Sequence, residues 1–166
     1  MKEKIAIFLG SDSDYPIAEE CIKILKEFEV PFILEVTSAH RTPKRTTELI
    51  ENLEKRGVEI FIAFAGGVAH LAGFIAAHTT LPVIGVPVES SNLKGIDSLL
   101  STVQMPKGIP VATMGIGKSG AGNSALLAIQ ILSLKDPLLK EKLVEYRKKM
   151  AERVIEKSEK LKERLK

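Results

Sequence analysis

The 166-residue sequence predicts an α/β protein built on an open parallel sheet with helices on both faces. Three observations carry that prediction. Five aliphatic, β-branched runs, at 4–9, 31–37, 58–64, 82–88 and 109–114, are apolar almost throughout, as strands buried on both faces are. Helix-patterned segments at 15–28, 43–56, 68–78, 95–102 and 120–133 alternate with them, and a sixth covers 137–164. Polar or glycine-rich stretches at 10–14, 38–43, 65–73 and 115–120 follow strands, which is where open sheets of this kind bind ligands.

Each element has its own local reason. The first strand is the run Ile5-Ala6-Ile7-Phe8-Leu9. The first helix sets Ile17, Cys21, Ile24, Leu25 and Phe28 on one face, with Glu19, Glu20, Lys23 and Lys26 outside. Pro16 and Pro43 fall in the first turns of the first two helices, where the missing N–H is harmless, and Gly57 follows the second. Pro31 and Pro82 open strands, a permitted place for proline. In the last helix Leu138, Leu139, Leu143, Tyr146, Met150, Val154, Ile155 and Leu161 step at helical spacing. At ~1.5 Å per residue it runs to about 40 Å, long enough to pack on a neighbouring subunit as well as its own. The chain reads as one domain over 1–166, with a core at 1–134 and a helical extension at 135–166.

Composition narrows the function classes. Hydrophobic residues make up 45% and charged residues 27%, as in soluble globular proteins; without Trp, the core is expected to be aliphatic. Residues 135–166 carry 12 Lys/Arg against 7 Asp/Glu, and the rest carry 12 against 14. The basic excess therefore reads as a solvated helical face rather than a nucleic-acid surface. Cys21, the single cysteine, excludes an intrachain disulfide and reads as a buried thiol. Met1-Lys2-Glu3-Lys4 leads straight into a strand and no apolar run reaches ~18 residues, so the expectation is a cytoplasmic protein with no membrane span.

Chemistry concentrates in three post-strand turns. Gly10-Ser11-Asp12-Ser13-Asp14 brings serine hydroxyls and backbone amides to a helix start, a setting that attracts anions. There Asp14 serves either as a partner for ribose hydroxyls or as a helix cap. Ser38-Ala39-His40-Arg41-Thr42-Pro43 adds a planar guanidinium suited to phosphate and an imidazole suited to proton transfer. Otherwise His40 is an incidental surface residue before the cap Thr42. In Ala65-Gly66-Gly67-Val68-Ala69-His70-Leu71-Ala72-Gly73, bare glycines allow close backbone approach to a small flat group that His70 orients; the competing reading is a tight turn with a capping or core His70. His78 reads as structural, and Gln104-Met105-Pro106 as a rigid loop beside the site. Residues 112–119 fit a relaxed phosphate-loop pattern, and Gly115-Ile116-Gly117-Lys118-Ser119-Gly120 fits G-x-G-x-x-G. No strand follows to complete a βαβ unit, so a loop lending amides to some other ligand is preferred over a nucleotide site. No His/Asp/Glu pattern suggests a metal.

Together these segments resemble the class I N5-carboxyaminoimidazole ribonucleotide mutases of purine synthesis, from about Ile5 to Tyr146. Leu81-Pro82-Val83-Ile84-Gly85-Val86-Pro87-Val88 and Ser98-Leu99-Leu100-Ser101-Thr102-Val103-Gln104-Met105-Pro106 complete the set of matching motifs. The resemblance implies a flavodoxin-like three-layer sandwich, a homo-octamer with sites shared between subunits, and a carboxylate transfer needing neither cofactor nor metal. It implies that Ser11, Ser13, Ser38 and Arg41 hold the phosphate, Asp14 the ribose, and that His40 is the catalytic acid and base. Gly66, Gly67, His70 and Leu71 would line the pocket for released CO2. The related class II enzymes, which take free CO2, resemble Gly-Arg-Ser-Asn where this chain has Gly66-Gly67-Val68-Ala69, which favours class I. The family usually has proline at the position of Ala72, so a looser pocket is expected here. The alternatives are a carboxylase of the second class and, in a different class, a nucleotide-binding module using Gly117-Lys118-Ser119.

Overall fold

A computed structural model describes residues 2–165. Five parallel strands, β1 (Ile5–Leu9), β2 (Phe32–Val36), β3 (Ile60–Gly66), β4 (Val83–Val88) and β5 (Ala112–Thr113), form one sheet in the order β2-β1-β3-β4-β5. The helices are α1 (Tyr15–Glu27), α2 (Pro43–Arg56), α3 (Leu71–Ala76), α4 (Ile96–Val103), α5 (Gly117–Ser133) and α6 (Pro137–Glu163). The flavodoxin-like α/β reading therefore holds, with helices on both sides of the sheet and a long last helix.

The order itself explains the layering. From β1 the chain steps one way to β2, then back across β1 to β3 and onward to β4 and β5. Right-handed crossovers place helices of opposite steps on opposite faces. On the α1 face, a side chain at Gly122 would touch Ile24, so α5 lies close against α1 there. Cys21 is fully buried on that face near Ser124, and burial pushes its thiol up to about 12, which keeps it inert. On the other face Ile50, Leu53, Leu71, Ile75 and Ala76 pack on Ala6, Phe8 and Phe61. The core is less purely aliphatic than expected: Phe8, Phe61 and Phe64 are among its largest buried side chains, and Phe8 meets Phe61 edge to face at 5.6 Å.

Several boundaries shift: α3, expected over 68–78, spans only Leu71–Ala76, and β3, β5 and α5 differ as well. β3 begins and ends later than expected and so carries the chain to Gly66 at the sheet's carboxyl edge. β5 is reduced to two residues, since Pro106, Gly108 and Pro110 hold the preceding segment out of the ladder. α5 starts at Gly117, within the segment expected as a loop, because Gly120 packs on the turn before it. A Cβ on Gly120 would stand 1.6 Å from the Gly115 carbonyl oxygen. The G-x-G-x-x-G pattern thus has a packing explanation: it lets α5 start hard against the end of β5.

Two compact units divide the chain, the first ending at Ala128 and the second beginning at Ile129. In the second, Asp136 caps α6 by accepting the N–H groups of Leu138 and Leu139 at 3.0 and 3.2 Å. Along α6, Val144, Met150, Val154, Ile155 and Leu161 are exposed. No helix among the described residues is long and apolar enough to cross a membrane.

Candidate active site

A cleft of about 320 Å³ opens at the carboxyl ends of β1, β2, β3 and β4. The strand order reverses between β1 and β3, so the cleft sits at the topological switch point.

After β1, Ser11, Ser13 and Asp14 line the cleft. Ser11 caps the short 3-10 turn Asp12–Asp14 in a reciprocal box: its hydroxyl accepts the Ser13 N–H, and Asp14 Oδ2 accepts the Ser11 N–H at 3.0 Å. The Ser13 hydroxyl donates to Ser11 Oγ at 2.9 Å, and Asp12 takes the Ser13 N–H at 3.0 Å. Asp14 is therefore a capping residue in this structure, and it is 4% exposed. Burial holds its carboxyl above the usual value, opposed by the Ser11 N–H and the Arg41 charge.

After β2, Ser38, His40 and Arg41 join the wall. The turn is folded by its own side chains, with Ser38 Oγ accepting the Arg41 N–H at 3.2 Å and Thr42 Oγ accepting the Ser38 N–H at 3.0 Å. Arg41 spans the two turns by donating from Nη2 to the Gly10 carbonyl at 2.9 Å. The rest of its donor fork is exposed beside the serines.

After β3, Gly66, His70 and Leu71 complete the cleft. The Ala69 N–H closes this turn onto the Gly66 carbonyl at 3.1 Å, and Ala69 is held at φ 38°, a left-handed value disfavoured for alanine. That conformation turns His70 toward the β2 side. His40 Nε2 and His70 Nδ1 lie 2.8 Å apart, with the rings edge to face at 4.9 Å. Such a contact requires one nitrogen to donate and the other to accept, so the pair fixes each ring's tautomer through the other. Behind the pair, a second cavity of about 370 Å³ is lined by Ala39, Phe74, Ser101 and Met105 among others, which puts the Gln104-Met105-Pro106 loop beside the site.

All but one of the sequence-predicted site residues come together here. Gly67 is the exception: it belongs to the same turn, yet the cleft wall passes from Gly66 to Val68 without it. Ala72 is buried in the first turn of α3 rather than on the wall. His78 stacks on Phe74 at 4.4 Å and bonds the Phe74 carbonyl, as a structural residue does. Lys118 and Ser119 do not line the cleft. Sequence reasoning missed Ser90, although it too lies in a polar stretch just after a strand, Glu89-Ser90-Ser91. No group of three or more His, Cys, Asp or Glu among the described residues is placed to hold a metal ion.

The family model for AIR carboxylase matches residues 4–153. The chain belongs to the AIR carboxylase family. Curated members at high identity include the N5-carboxyaminoimidazole ribonucleotide mutase of Pyrococcus abyssi, 57% identical over 89% of this chain and 83% of that protein. The Bacillus subtilis mutase is 52% identical over 97% of this chain and 99% of its own length. Among solved structures, Treponema denticola PurE2-S38D superposes with a TM-score of 0.88 at 29% identity, covering 97% of this chain and 99% of that one. The fold is thus shared with that structure over 97% of this chain.

Proposed function

We propose that the protein is an N5-carboxyaminoimidazole ribonucleotide mutase, moving a carboxylate from the exocyclic nitrogen of its small-molecule substrate to C4. Family membership and relatives of that name at about half identity support the activity. The observation that carries the mechanism is the His40–His70 contact at 2.8 Å on a cleft shared with both serine turns.

In this reading Ser11, Ser13, Ser38 and Arg41 take the phosphate, using the free part of the Arg41 fork. Asp14 takes the ribose with the carboxylate oxygen its cap does not use. The nitrogen–carboxylate bond breaks, releasing CO2 against Gly66, His70 and Leu71. His40 gives a proton to the departing nitrogen. C4 then attacks the CO2, and His40 recovers a proton from C4, so the enzyme ends as it began. Holding CO2 in place keeps a reactive pair at high effective concentration. Gly67 supports the turn rather than touching substrate. A homo-octamer in the cytoplasm belongs to the same reading. The exposed stripe Ile96, Leu100 and Val103 on α4 supports self-association.

A second reading, direct carboxylation of aminoimidazole ribonucleotide by free CO2, is favoured by the family's own description. Purified protein separates the two. The mutase converts N5-carboxyaminoimidazole ribonucleotide to the C4-carboxylate without ATP. Turnover only of aminoimidazole ribonucleotide with added CO2 would reverse the assignment.

A further inference from the structure

Two adjacent serines follow β4, and they are used differently. Ser91 folds its own loop: its hydroxyl donates to Asp97 Oδ2 at 2.7 Å and accepts the Leu93 N–H at 3.1 Å. Ser90 is exposed on the cleft wall, and its hydroxyl has no partner among the described residues. The Ser11 and Ser13 hydroxyls donate within their own turn, to Asp12 and to Ser11, while Ser38 Oγ accepts the Arg41 N–H and keeps its proton for the Arg41 side of the cleft.

Ser90 is also tightly placed. Gly66 pairs with Val88 in the β3–β4 register, and the chain leaving β4 folds back over the end of β3. A Cβ on Gly66 would meet Ser90 Oγ at 2.1 Å and Ser90 Cβ at 2.5 Å. Glycine at 66 therefore makes room for one particular hydroxyl. The strand order fixes what that hydroxyl can reach. Arg41 and Ser38 follow β2, whereas Ser90 follows β4, three strands away in the sheet. At ~4.8 Å per strand the strand ends are roughly 14 Å apart, which sets Ser90 on the opposite side of the cleft from Arg41 and Ser38. The Gly66–His70 turn lies between them, beside Ser90.

We infer that Ser90 donates a hydrogen bond from its hydroxyl to an oxygen of the migrating carboxylate, and holds the CO2 against Gly66 between release and recapture. The inference rests on the mutase reading above. It adds no covalent step: the carbon–nitrogen bond breaks and the carbon–carbon bond forms as before, while Ser90 keeps its proton. A CO2 oxygen is a weak acceptor, so removing the donor lets the gas escape more often than it stops the bond from breaking.

The test uses substrate labelled with ¹³C in its carboxyl group, turned over in buffer equilibrated with unlabelled CO2. The label in the C4-carboxylate product is read by mass spectrometry. Wild-type protein retains most of the label. Ser90→Ala lowers kcat about tenfold, leaves KM within about threefold, and loses label several-fold more often. Ser90→Thr, which keeps the hydroxyl, restores retention. Unchanged retention in Ser90→Ala, a raised KM with full retention, or equal leakage in Ser90→Thr would each overturn the assignment. Absence of conversion by wild-type protein would remove the mutase reading and this inference with it, and is recognisable before any variant is compared.

Discussion

The turns after β1 and after β3 face one cleft and are built in opposite ways. Gly10–Asp14 is saturated with its own hydrogen bonds: a reciprocal cap, a serine–serine contact and the Arg41 clasp on Gly10. Gly66–His70 has a strained Ala69, an uncommitted hydroxyl lying over Gly66, and a single side-chain contact from His70 to His40. The first is pre-organised to hold something that stays still. The second is open where something must arrive and leave. In the proposed reading the first takes the phosphoribosyl part and the second the moving carbon, and a carboxylate transfer on a ribonucleotide needs both.

The comparison can be broken from either side. Arg41→Ala removes the clasp and the exposed guanidinium together. KM for the ribonucleotide should rise by about 10–100-fold with kcat less affected, as expected for a charge-assisted contact. Steady-state kinetics with unchanged KM would take Arg41 out of the binding turn. His70→Asn leaves the binding turn intact but frees the His40 ring. A kcat loss of roughly tenfold at near-constant KM is expected, together with an altered pH–rate profile. A shift in KM alone would make His70 a binding group only.

Smaller effects fall on stability. Gly66→Ala drives a Cβ into Ser90, so urea unfolding should register a loss of about 1–3 kcal/mol, recovered in part by a second substitution, Ser90→Gly. Asp14 gives the smallest signal, and its sign is fixed by burial. Its folded carboxyl titrates above the ordinary 3.8, so below that value both folded and unfolded forms are protonated. As pH rises past it, the unfolded form ionises first, and folding loses stability until the folded carboxyl has ionised too. Asp14→Asn should flatten that part of the stability–pH curve, and a slope identical to wild type would deny the buried carboxyl its role.

The sequence made the sheet legible because β1, β3 and β4 are buried on both faces and contain little else than apolar residues. It misjudged β5, where prolines and a glycine outweighed an apolar run. The serine and histidine turns were readable because their residue types are unusual directly after strands. Ser90 escaped notice since a serine in a polar loop has no distinctive spacing. Only the fold-back over Gly66 gives it a position. Likewise the Gly115–Gly120 pattern looked like a nucleotide motif until the carbonyl of Gly115 proved to occupy the space above Gly120.

Binding and single-turnover measurements on one variant, His40→Asn, test the division of labour most directly. If the serine turns bind and the histidine pair reacts, the dissociation constant for the ribonucleotide stays within about threefold while the single-turnover rate falls roughly 100-fold or more. Wild-type turnover in that variant, or an equal collapse of affinity and rate, would contradict the account.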